Sequence, residues 1–413
     1  MKISDVVEKN LCVSCGICAG VCPNKCIAST CDGGRYLPTI DENLCADCGL
    51  CHKICPGKAT DYPKLCKLND EPLTENILFG QAKFCLAAQS VDENILALST
   101  SGGVVTTLVM ALLGGKIYDA AFLVDTYAHD EEIFSAKYTI ESDFTSTPKS
   151  RYLTVNHSRA VECMIQNPDE KIILVGTSCA IHGFLNVIEH FKLRRENYLL
   201  LGLFCDKTMN YSVWQYFKTI CGEENPLQKL FFRTKEINGW PGDVGLETSE
   251  QKIFLPRTVR MQMKDFFCLE RCRYCLDKLN RFADISVGDN YTQIELPASI
   301  NRLKGTSNVI LRTERGVEIF GHLADKFYLC EIPAEEIEKS QGLSVRANNF
   351  IFGEYKSAEI GRSINVVPEK FSCRLYESPA HKNIYERLLA KHKIGRENLF
   401  LAVAADIFRK TFK

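Results

Sequence analysis

The alternation of apolar and polar residues becomes regular only after residue 83. From there, short runs of consecutive apolar residues are separated by segments with helical periodicity. The runs predict strands at Phe84 to Ala88, Ala120 to Asp125, Ile172 to Val175 and Tyr198 to Cys205. A helix is predicted between the first two strands, from Gly102 to Leu113. Short apolar strands separated by helices are typical of an α/β sheet that is buried on both faces.

Residues 1 to 60 have a different pattern and are rich in Cys, Gly and Pro. Cysteines recur there twice with the spacing C-x2-C-x2-C-x3-C followed by proline, the ligand pattern of two-cluster bacterial ferredoxins. In that pattern the fourth cysteine of each run binds the cluster of the other run. The sequence therefore assigns one 4Fe-4S cluster to Cys12, Cys15, Cys18 and Cys55, and a second to Cys45, Cys48, Cys51 and Cys22. Zinc sites and disulfide frameworks do not favour this spacing.

These 60 residues are too few for a conventional core, so we predict a ferredoxin domain that its two clusters hold together. Residues 61 to 82 contain Pro63, Pro72 and Gly80 and show no sustained periodicity. They are predicted to form a linker to the α/β part of the chain.

Composition narrows the class of protein. The chain has 21 cysteines among 413 residues, too few for a disulfide scaffold, which favours free thiols in a reducing cytoplasm. It opens without the apolar segment of a secretory signal, and no stretch approaches the ~20 apolar residues of a membrane span. A net charge of -1 lacks the basic excess of nucleic-acid-binding proteins. We expect a cytoplasmic protein that binds no nucleic acid and has no membrane span.

A serine- and glycine-rich segment, Ser99-Thr100-Ser101-Gly102-Gly103, precedes the predicted helix. Glycines let backbone N–H groups approach a phosphate, and the first helical turn adds partial positive charge. The pyrophosphate of a flavin or nicotinamide would suit such a site. The same residues also form ordinary helix caps and turns, so the pattern alone leaves both interpretations open. The sequence has neither G-x-G-x-x-G nor a Walker A motif, which disfavours a standard Rossmann site and an NTPase.

Two further cysteines, Cys179 and Cys205, follow or end apolar strands. The carboxyl ends of strands in an α/β sheet form one crevice, so these two and the later pair Cys272 and Cys275 could bind a third 4Fe-4S cluster. Packing in the core is the alternative, because free cysteine is often buried. Cys268 is near enough to the pair to replace one ligand.

Further motifs occur in a fixed order along the chain. The cysteine repeats are followed by Ser101-Gly102-Gly103-x-x-Thr106, Gly176-Thr177-x-Cys179, Phe204-Cys205, Phe232-Arg233-Thr234-Lys235 with Gly239-Trp240, Cys272-x2-Cys275-x-Asp277, Ala283-Asp284-Ile285-Ser286-x-Gly288-Asp289 and Gly305-Thr306-Ser307. This order resembles the family of the coenzyme F420 hydrogenase/dehydrogenase beta subunit. The similarity runs from about residue 83 to residue 345.

The resemblance implies an α/β flavoprotein that binds FAD and exchanges hydride with a deazaflavin such as coenzyme F420. It implies a 4Fe-4S cluster on Cys179, Cys205, Cys272 and Cys275, and FAD contacts from Ser101, Gly102, Gly103, Thr106, Arg151 and Tyr152. Residues 83–160 would be the family's N-terminal domain, with the FAD site, and residues 161–345 its C-terminal domain. Residues 346–413 match no motif and are predicted to form a helical extension.

Together these features predict an FAD- and 4Fe-4S-dependent oxidoreductase. Hydride transfer at FAD, with coenzyme F420, a related carrier or an unsaturated small molecule, would be coupled to one-electron transfer through the clusters and ferredoxin. The alternative is an electron-relay protein without its own substrate, which passes electrons between ferredoxin and a partner reductase or hydrogenase.

No acid–base catalyst is assigned. His157, His182, Asp206 and Asp289 are expected to be structural. Residues 257–281 carry seven basic against three acidic side chains. We interpret this excess as a basic face that attracts an anionic coenzyme or compensates the charge of a cluster.

Overall fold

The computed structural model describes residues 1–69, 71–74, 76–124, 131–372 and 379–397. Its strands, in chain order, are β1 (Ile27–Asp32), β2 (Arg35–Ile40), β3 (Thr60–Asp61), β4 (Phe84–Ser90), β5 (Ala120–Val124), β6 (Ile133–Tyr138), β7 (Val155–Asn156), β8 (Ile172–Gly176), β9 (Tyr198–Leu203), β10 (Lys229–Thr234), β11 (Asp243–Glu247), β12 (Lys252–Leu255), β13 (Ile285–Asp289), β14 (Ser307–Leu311), β15 (Phe327–Glu331) and β16 (Asn365–Val366).

The helices are α1 (Ser4–Glu8), α2 (Ile17–Gly20), α3 (Leu50–Ile54), α4 (Tyr62–Leu68), α5 (Glu93–Leu98), α6 (Val104–Gly114), α7 (Ser158–Gln166), α8 (Ser178–Phe191), α9 (Ser212–Cys221), α10 (Arg257–Phe267), α11 (Glu314–His322), α12 (Ala334–Ser340), α13 (Leu343–Arg346), α14 (Asn348–Ile360), α15 (Glu369–Ser372) and α16 (Pro379–Glu397).

A mixed sheet of nine strands lies at the centre, in the order β15-β4-β14-β13-β9-β8-β5-β6-β7. Its neighbours β13, β9, β8 and β5 are parallel, and antiparallel strands flank them. Ile172 of β8 pairs with Tyr198 of β9, and Gly176 pairs with Gly202. The two strands therefore end at the same edge of the sheet, just before Cys179 and Cys205.

Alternate residues of the central strands pack into two cores. In β8, Ile172 and Leu174 belong to a core that includes residues of α8, whereas Ile173 belongs to a second core that includes residues of α6. The residues of β9 alternate in the same way. Burial on both faces explains the continuous apolar runs and confirms the predicted α/β sheet.

The four predicted strands are all present as β4, β5, β8 and β9, with ends that differ by up to two residues. Asp125, the predicted end of β5, lies outside the described residues. The predicted helix begins at Val104 instead of Gly102, because Gly103 has a φ of 74° and forms the N-cap of α6.

The predicted linker was wrong for residues 62–68, which form α4. Asp61 accepts a hydrogen bond from the backbone N–H of Lys64 at 2.9 Å and caps the helix, and Pro63 lies in its first turn. Proline is favourable at that position because the first N–H groups of a helix have no intrahelical partner. Pro63 therefore marks the start of a helix and not a break in structure.

A second, three-stranded antiparallel sheet contains β10, β11 and β12. Phe232 of β10 packs with Phe217 of α9 and Met263 of α10 in a core of its own. The sequence analysis assigned no elements to this region.

Residues 1–60, here called the N-terminal cysteine module, contain the β1-β2 hairpin and α1 to α3. Their apolar side chains share a core with the far end of the chain, where Ile3 and Val6 pack with Phe352 and Ile364. Strand β16 also pairs with β3. The module therefore shares an apolar core with residues 352–366. The sequence analysis expected the clusters alone to hold this fold together and did not predict the shared core.

Candidate functional site

Four cysteines of the N-terminal cysteine module line an open pocket of about 440 Å³: Cys12, Cys15, Cys18 and Cys55. This first cysteine pocket contains the same four residues that the spacing assigned to one cluster. Burial raises the pKa of the Cys12 thiol to about 12, and the nearby Cys55 adds to the shift. Buried thiolates need a positive ion or hydrogen bonds to be stable, so this donor set fits a metal cluster.

The other four cysteines, Cys22, Cys45, Cys48 and Cys51, line a second pocket of about 390 Å³. This second cysteine pocket also includes Cys26, whose Sγ lies 3.3 Å from the Sγ of Cys22. The sequence analysis assigned Cys26 to no cluster. Its position four residues after Cys22 is the sequence feature that could have placed it in this pocket.

The two cysteine repeats have the same backbone geometry. Ser14 and Asp47, which precede the second cysteine of each run, have φ values of 53° and 51°. Gly16 and Gly49, which follow that cysteine, both have a φ of 69° and form the N-caps of α2 and α3. Left-handed residues in such loops turn successive N–H groups inward, and the N–H of Ser14 lies 3.4 Å from the Cys12 Sγ. The repeat therefore forms a loop suited to thiolate ligands.

Cys179, Cys205, Cys272 and Cys275, here called the cysteine quartet, meet at the carboxyl edge of the parallel strands. Cys179 lies in the first turn of α8, Cys205 follows β9, and Cys272 lies in a 3-10 turn at Glu270–Tyr274. Burial raises the pKa of Cys205 to about 12, with further contributions from Cys179 and Cys275. The structure therefore brings the four predicted residues together, and their binding of a cluster stays a prediction.

Cys268 is fully buried beside this quartet. Burial and Cys205 raise the pKa of Cys272, and Cys268 adds to that shift. The remaining cysteines were assigned to no cluster and differ in exposure: Cys31 is exposed, Cys66 is buried, and Cys85, Cys163, Cys221 and Cys330 are half-buried. Cys373 lies outside the described residues.

The first cysteine pocket and the quartet are neighbours. Burial and Cys55 raise the pKa of Cys15, and Cys179 of the quartet raises it further. The backbone N–H of His157 donates to the carbonyl oxygen of Cys15 at 2.8 Å, which joins the module to the start of α7. Gly183 of α8 allows close contact, because a Cβ there would lie 2.0 Å from the Cδ1 of Ile17.

No group of three or more His, Cys, Asp or Glu side chains in the described part of the chain is arranged to bind a single metal ion. A 4Fe-4S cluster differs from such a site, because each of its thiolates binds a different iron.

The Ser99–Gly103 segment is joined to the loop that carries Arg151 and Tyr152. Thr100 donates its backbone N–H to the carbonyl of Pro148 at 3.2 Å, and its Oγ1 accepts the N–H of Ser150 at 2.9 Å. The structure thus brings together the two parts of the predicted FAD contact set. Thr106 follows in the first turn of α6. The Arg151 guanidinium donates to the carbonyl oxygens of Ser146 and Lys149.

Gly102 has a packing role that accounts for its small size. A Cβ at this position would lie 2.4 Å from the carbonyl oxygen of Ala88. The Gly102 N–H donates to the Ser307 Oγ at 3.1 Å, and the Ser101 Oγ donates to the Thr306 carbonyl at 2.8 Å. Beside them, the buried Oγ atoms of Ser99 and Thr306 have no hydrogen-bond partner among the described residues. Such atoms fit a bound polar group at this loop.

A buried ion pair connects the small sheet to this loop. Arg233 of β10 binds Asp289 at the end of β13 through two hydrogen bonds of 2.5 and 2.8 Å. Trp240 donates its indole N–H to the same carboxylate at 2.9 Å. Burial would raise the pKa of this carboxyl, but the charge of Arg233 and hydrogen bonds from Arg233 and Trp240 lower it. Asp289 therefore links the small sheet to the end of β13, and its structural role stays a prediction.

Aromatic rings and cations surround this ion pair. The Trp240 and Tyr291 rings pack with their centroids 5.1 Å apart. Lys264 lies 4.8 Å and Arg260 5.6 Å from the centre of the Tyr152 ring. Such a combination suits a planar, anionic cofactor or carrier.

Two lysines near this region have depressed pKa values. Burial lowers the pKa of Lys235 to about 8, with contributions from Lys149 and Arg233. Burial also lowers the pKa of Lys149, and Arg151 contributes to that shift. Closely placed cations that are partly desolvated repel each other, so an anion bound between them would stabilise both. The sequence analysis did not place either lysine in the site.

The basic face expected at residues 257–281 was wrong in part, because Arg260, Arg271, Arg273 and Arg281 are buried. Arg281, for example, forms a buried ion pair with Glu71 at 2.6 Å. His157 and His182 are both buried, and their structural role stays a prediction. Burial lowers the pKa of His157 to about 4, and His182 binds Asp277 at 2.8 Å.

None of the helices in the described residues combines the length and apolar character needed to cross a bilayer.

Comparison with known proteins identifies the family of the chain. Two family profiles of the coenzyme F420 hydrogenase/dehydrogenase beta subunit match the chain, the N-terminal profile at residues 85–162 and the C-terminal profile at residues 169–337. The two matches together span more than half of the chain and follow one another in the family's order. The chain therefore belongs to the family of the coenzyme F420 hydrogenase/dehydrogenase beta subunit.

Two curated relatives match most of the chain. The F(420)H(2) dehydrogenase of Methanosarcina mazei has an F subunit that is 24% identical over 344 residues, which cover 82% of this chain and 89% of the relative. The coenzyme F420-dependent sulfite reductase of Methanocaldococcus jannaschii is 25% identical over 390 residues, which cover 87% of this chain. The match spans only 54% of that reductase.

A solved structure shares the fold. A chain of the F420-reducing [NiFe] hydrogenase complex from Methanosarcina barkeri superposes with a TM-score of 0.52 and 19% sequence identity. The superposition covers 71% of this chain and 98% of that chain. The large mixed sheet is therefore an architecture already observed in a protein of known structure.

Proposed function

We propose that this protein is an oxidoreductase that exchanges hydride with coenzyme F420 and passes single electrons through 4Fe-4S clusters to ferredoxin. The proximity of Cys15 and Cys179 carries the proposal, because it joins the first cysteine pocket to the quartet. The relatives named for F420 chemistry support the choice of carrier. FAD, when bound, supplies the conversion between a two-electron carrier and one-electron clusters.

Separate groups of residues would bind FAD, the carrier and the clusters. FAD would be held by Ser101, Gly102, Gly103, Thr106, Arg151 and Tyr152. The Arg233–Asp289 pair lies near this site and holds the small sheet against β13. Lys149 and Lys235 would attract the anionic part of the carrier. The cysteine quartet and the two cysteine pockets would hold three clusters in succession toward the surface of the module.

The cationic and aromatic surroundings of Tyr152 favour an enzyme over an electron relay. A relay without its own substrate needs cluster ligands, but it has no use for a site that combines Trp240, Tyr291 and partly desolvated lysines. Whether F420 or only ferredoxin reduces the flavin separates the two functions.

The test uses the full chain purified without oxygen. We expect about twelve irons and one FAD per chain, the content of three 4Fe-4S clusters and one flavin. The protein is then mixed in turn with reduced F420, NADH and reduced ferredoxin while the flavin absorbance is followed. Rapid bleaching by reduced F420 supports the proposal, bleaching by reduced ferredoxin alone supports the relay, and a protein that lacks flavin contradicts both.

A further inference from the structure

Arg271 extends from the quartet to the N-terminal cysteine module. It precedes Cys272 in the chain, yet its Nε donates to the carbonyl oxygen of Gly57 at 3.0 Å, two residues after Cys55. Its Nη2 donates to the Thr60 Oγ1 at 2.9 Å and to the Ile364 carbonyl at 3.3 Å. The side chain therefore spans the boundary between the two proposed cluster sites.

This guanidinium is buried without a full set of partners. Arg271 is only 4% exposed, and its Nη1 has no hydrogen-bond partner among the residues that the structure describes. Its three acceptors are two carbonyls and a hydroxyl, none of which is charged. A buried cation is costly unless negative charge lies nearby, and anionic iron-sulfur clusters on both sides would supply that charge.

The thiols on both sides respond to this charge. Burial raises the pKa of Cys55, Cys179 and Cys275, and in all three the Arg271 guanidinium opposes the shift. Cys55 belongs to the first cysteine pocket, whereas Cys179 and Cys275 belong to the quartet. One buried positive charge thus acts on ligands of two sites.

We propose that Arg271 is a shared positioning residue that favours the reduced state of two adjacent clusters, the one in the first cysteine pocket and the one in the quartet. The inference rests on the proposed function, since it requires clusters at both sites. A cluster gains negative charge on reduction, so a nearby cation raises its midpoint potential. Because Arg271 acts on both clusters, it shifts both potentials in the same direction and leaves the difference between them nearly unchanged.

Arg346 provides the matched comparison. It is also buried, and its Nη2 donates to the carbonyl oxygens of Cys205 and Asp206, both at 2.8 Å. Burial would lower its pKa, but Asp206 and the thiols of the quartet raise it. Arg346 therefore faces the quartet, and we expect it to affect that cluster alone.

The experiment measures midpoint potentials of the anaerobically loaded full chain by electron paramagnetic resonance in a redox titration. For Arg271→Gln we expect both potentials to fall, each by about 59 mV, which corresponds to a tenfold loss in the equilibrium constant for reduction. For Arg346→Gln we expect a fall at the quartet only. Arg271→Lys, which keeps the charge, is expected to stay close to the unchanged protein.

A second pair of variants leaves Arg271 in place, in case its replacement loosens the module and iron is lost. Thr60→Asp puts a carboxylate against Nη2 and neutralises the charge, so both potentials should fall as for Arg271→Gln. Thr60→Asn, which has the same shape without the charge, should leave them unchanged.

The inference is wrong if charge removal lowers one potential only, if Thr60→Asp and Thr60→Asn behave alike, or if Arg271→Lys shifts the potentials as far as Arg271→Gln. Failure of the proposed function looks different. In that case the unchanged protein itself would lack about four irons at either site before any variant is made.

Discussion

Cys179 lies at the junction of β8 and α8, where its thiol is close both to Cys15 and to the other members of the quartet. Replacing it with alanine should remove one ligand of the proposed third cluster. We expect Cys179→Ala to contain about four irons fewer per chain than the unchanged protein, measured by iron analysis after anaerobic purification. Cys163→Ala, at a half-buried thiol outside the quartet, is the control. Equal iron content in the two variants would show that Cys179 packs in the core and binds no cluster.

The Arg233–Asp289 pair is predicted to matter for stability as well as for the site. Asp289→Asn leaves the Arg233 guanidinium, of which only 2% is exposed, without its counter-charge. Loss of one partner of a buried pair costs about 3 kcal/mol or more of the free energy of unfolding. Anaerobic chemical denaturation measures the effect. Glu162→Gln breaks an exposed pair with Lys25 and should cost about 1 kcal/mol or less, so a similar cost for both variants would contradict the argument.

Lys235 should make anion binding depend on pH. Its pKa is lowered to about 8, so the side chain is charged below that pH and becomes neutral as the pH rises through it. We therefore expect the affinity for coenzyme F420 to fall above pH 8. The free energy of unfolding should change in the opposite sense, rising between about 8 and 10.5, because the unfolded chain binds the extra proton there.

Calorimetric titration between pH 7 and pH 9.5 checks this dependence. Lys235→Arg keeps the charge and should remove the fall in affinity. Lys278, whose pKa burial also lowers to about 8, faces Asp206 and Arg346 instead, so Lys278→Arg should leave the profile unchanged. An identical profile for both variants would show that Lys235 does not contact the carrier.

The sequence predicted the cysteines of the site far better than its charged residues. Ligand spacing is local, so Cys12, Cys15 and Cys18 could be grouped without knowledge of the fold. The partners Arg233 and Asp289 are 56 residues apart, and Arg271 reaches Gly57 across 214 residues. Only the folded chain places such residues together, which is why a basic face was expected where several arginines are buried.

Helix α4 is stabilised at its start by one polar side chain, that of Asp61. Asp61→Ala removes the acceptor for the Lys64 N–H and should cost about 1 kcal/mol of helix stability. Faster hydrogen exchange confined to the amides of α4 is the expected result. Asp92, which caps α5 through Asn94 and Ile95, is the matched position, and Asp92→Ala should act on α5 only. Uniform changes across the chain would argue against local capping.

Elements differed in how far the sequence could predict them. Strands β4, β5, β8 and β9 were found because burial on both faces makes them continuously apolar. The linker prediction failed at α4 because Pro63 was taken as a break, although a first-turn proline favours a helix. The β10-β11-β12 sheet gave no such run, since each of its strands mixes apolar residues with polar or charged ones.

At the scale of the whole molecule, the contact between the N-terminal cysteine module and α7 should control electron transfer. A Cβ at Gly20 would lie 2.6 Å from the carbonyl oxygen of Ser158 and 2.8 Å from the Cβ of Val161. Gly20→Val should therefore weaken the docking by about 1–3 kcal/mol and slow the passage of electrons into the module. Stopped-flow reduction measures the rate, and iron analysis shows that the clusters are retained.

Gly321→Val in α11 is the control for this prediction, because a Cβ there would meet no described atom within 4 Å. If both glycine variants transfer electrons at the unchanged rate, the module does not need its contact with α7.

Ile3 and Val6 pack against Phe352 and Ile364, which are translated long after them. During synthesis on the ribosome, the segment with Ile3 and Val6 is therefore made long before these neighbours, and it cannot complete the shared core until residue 364 has been made. We expect its thiols to remain exposed during that interval, so that iron and sulfide can reach them before the shared core forms. Oxidants can reach them during the same interval.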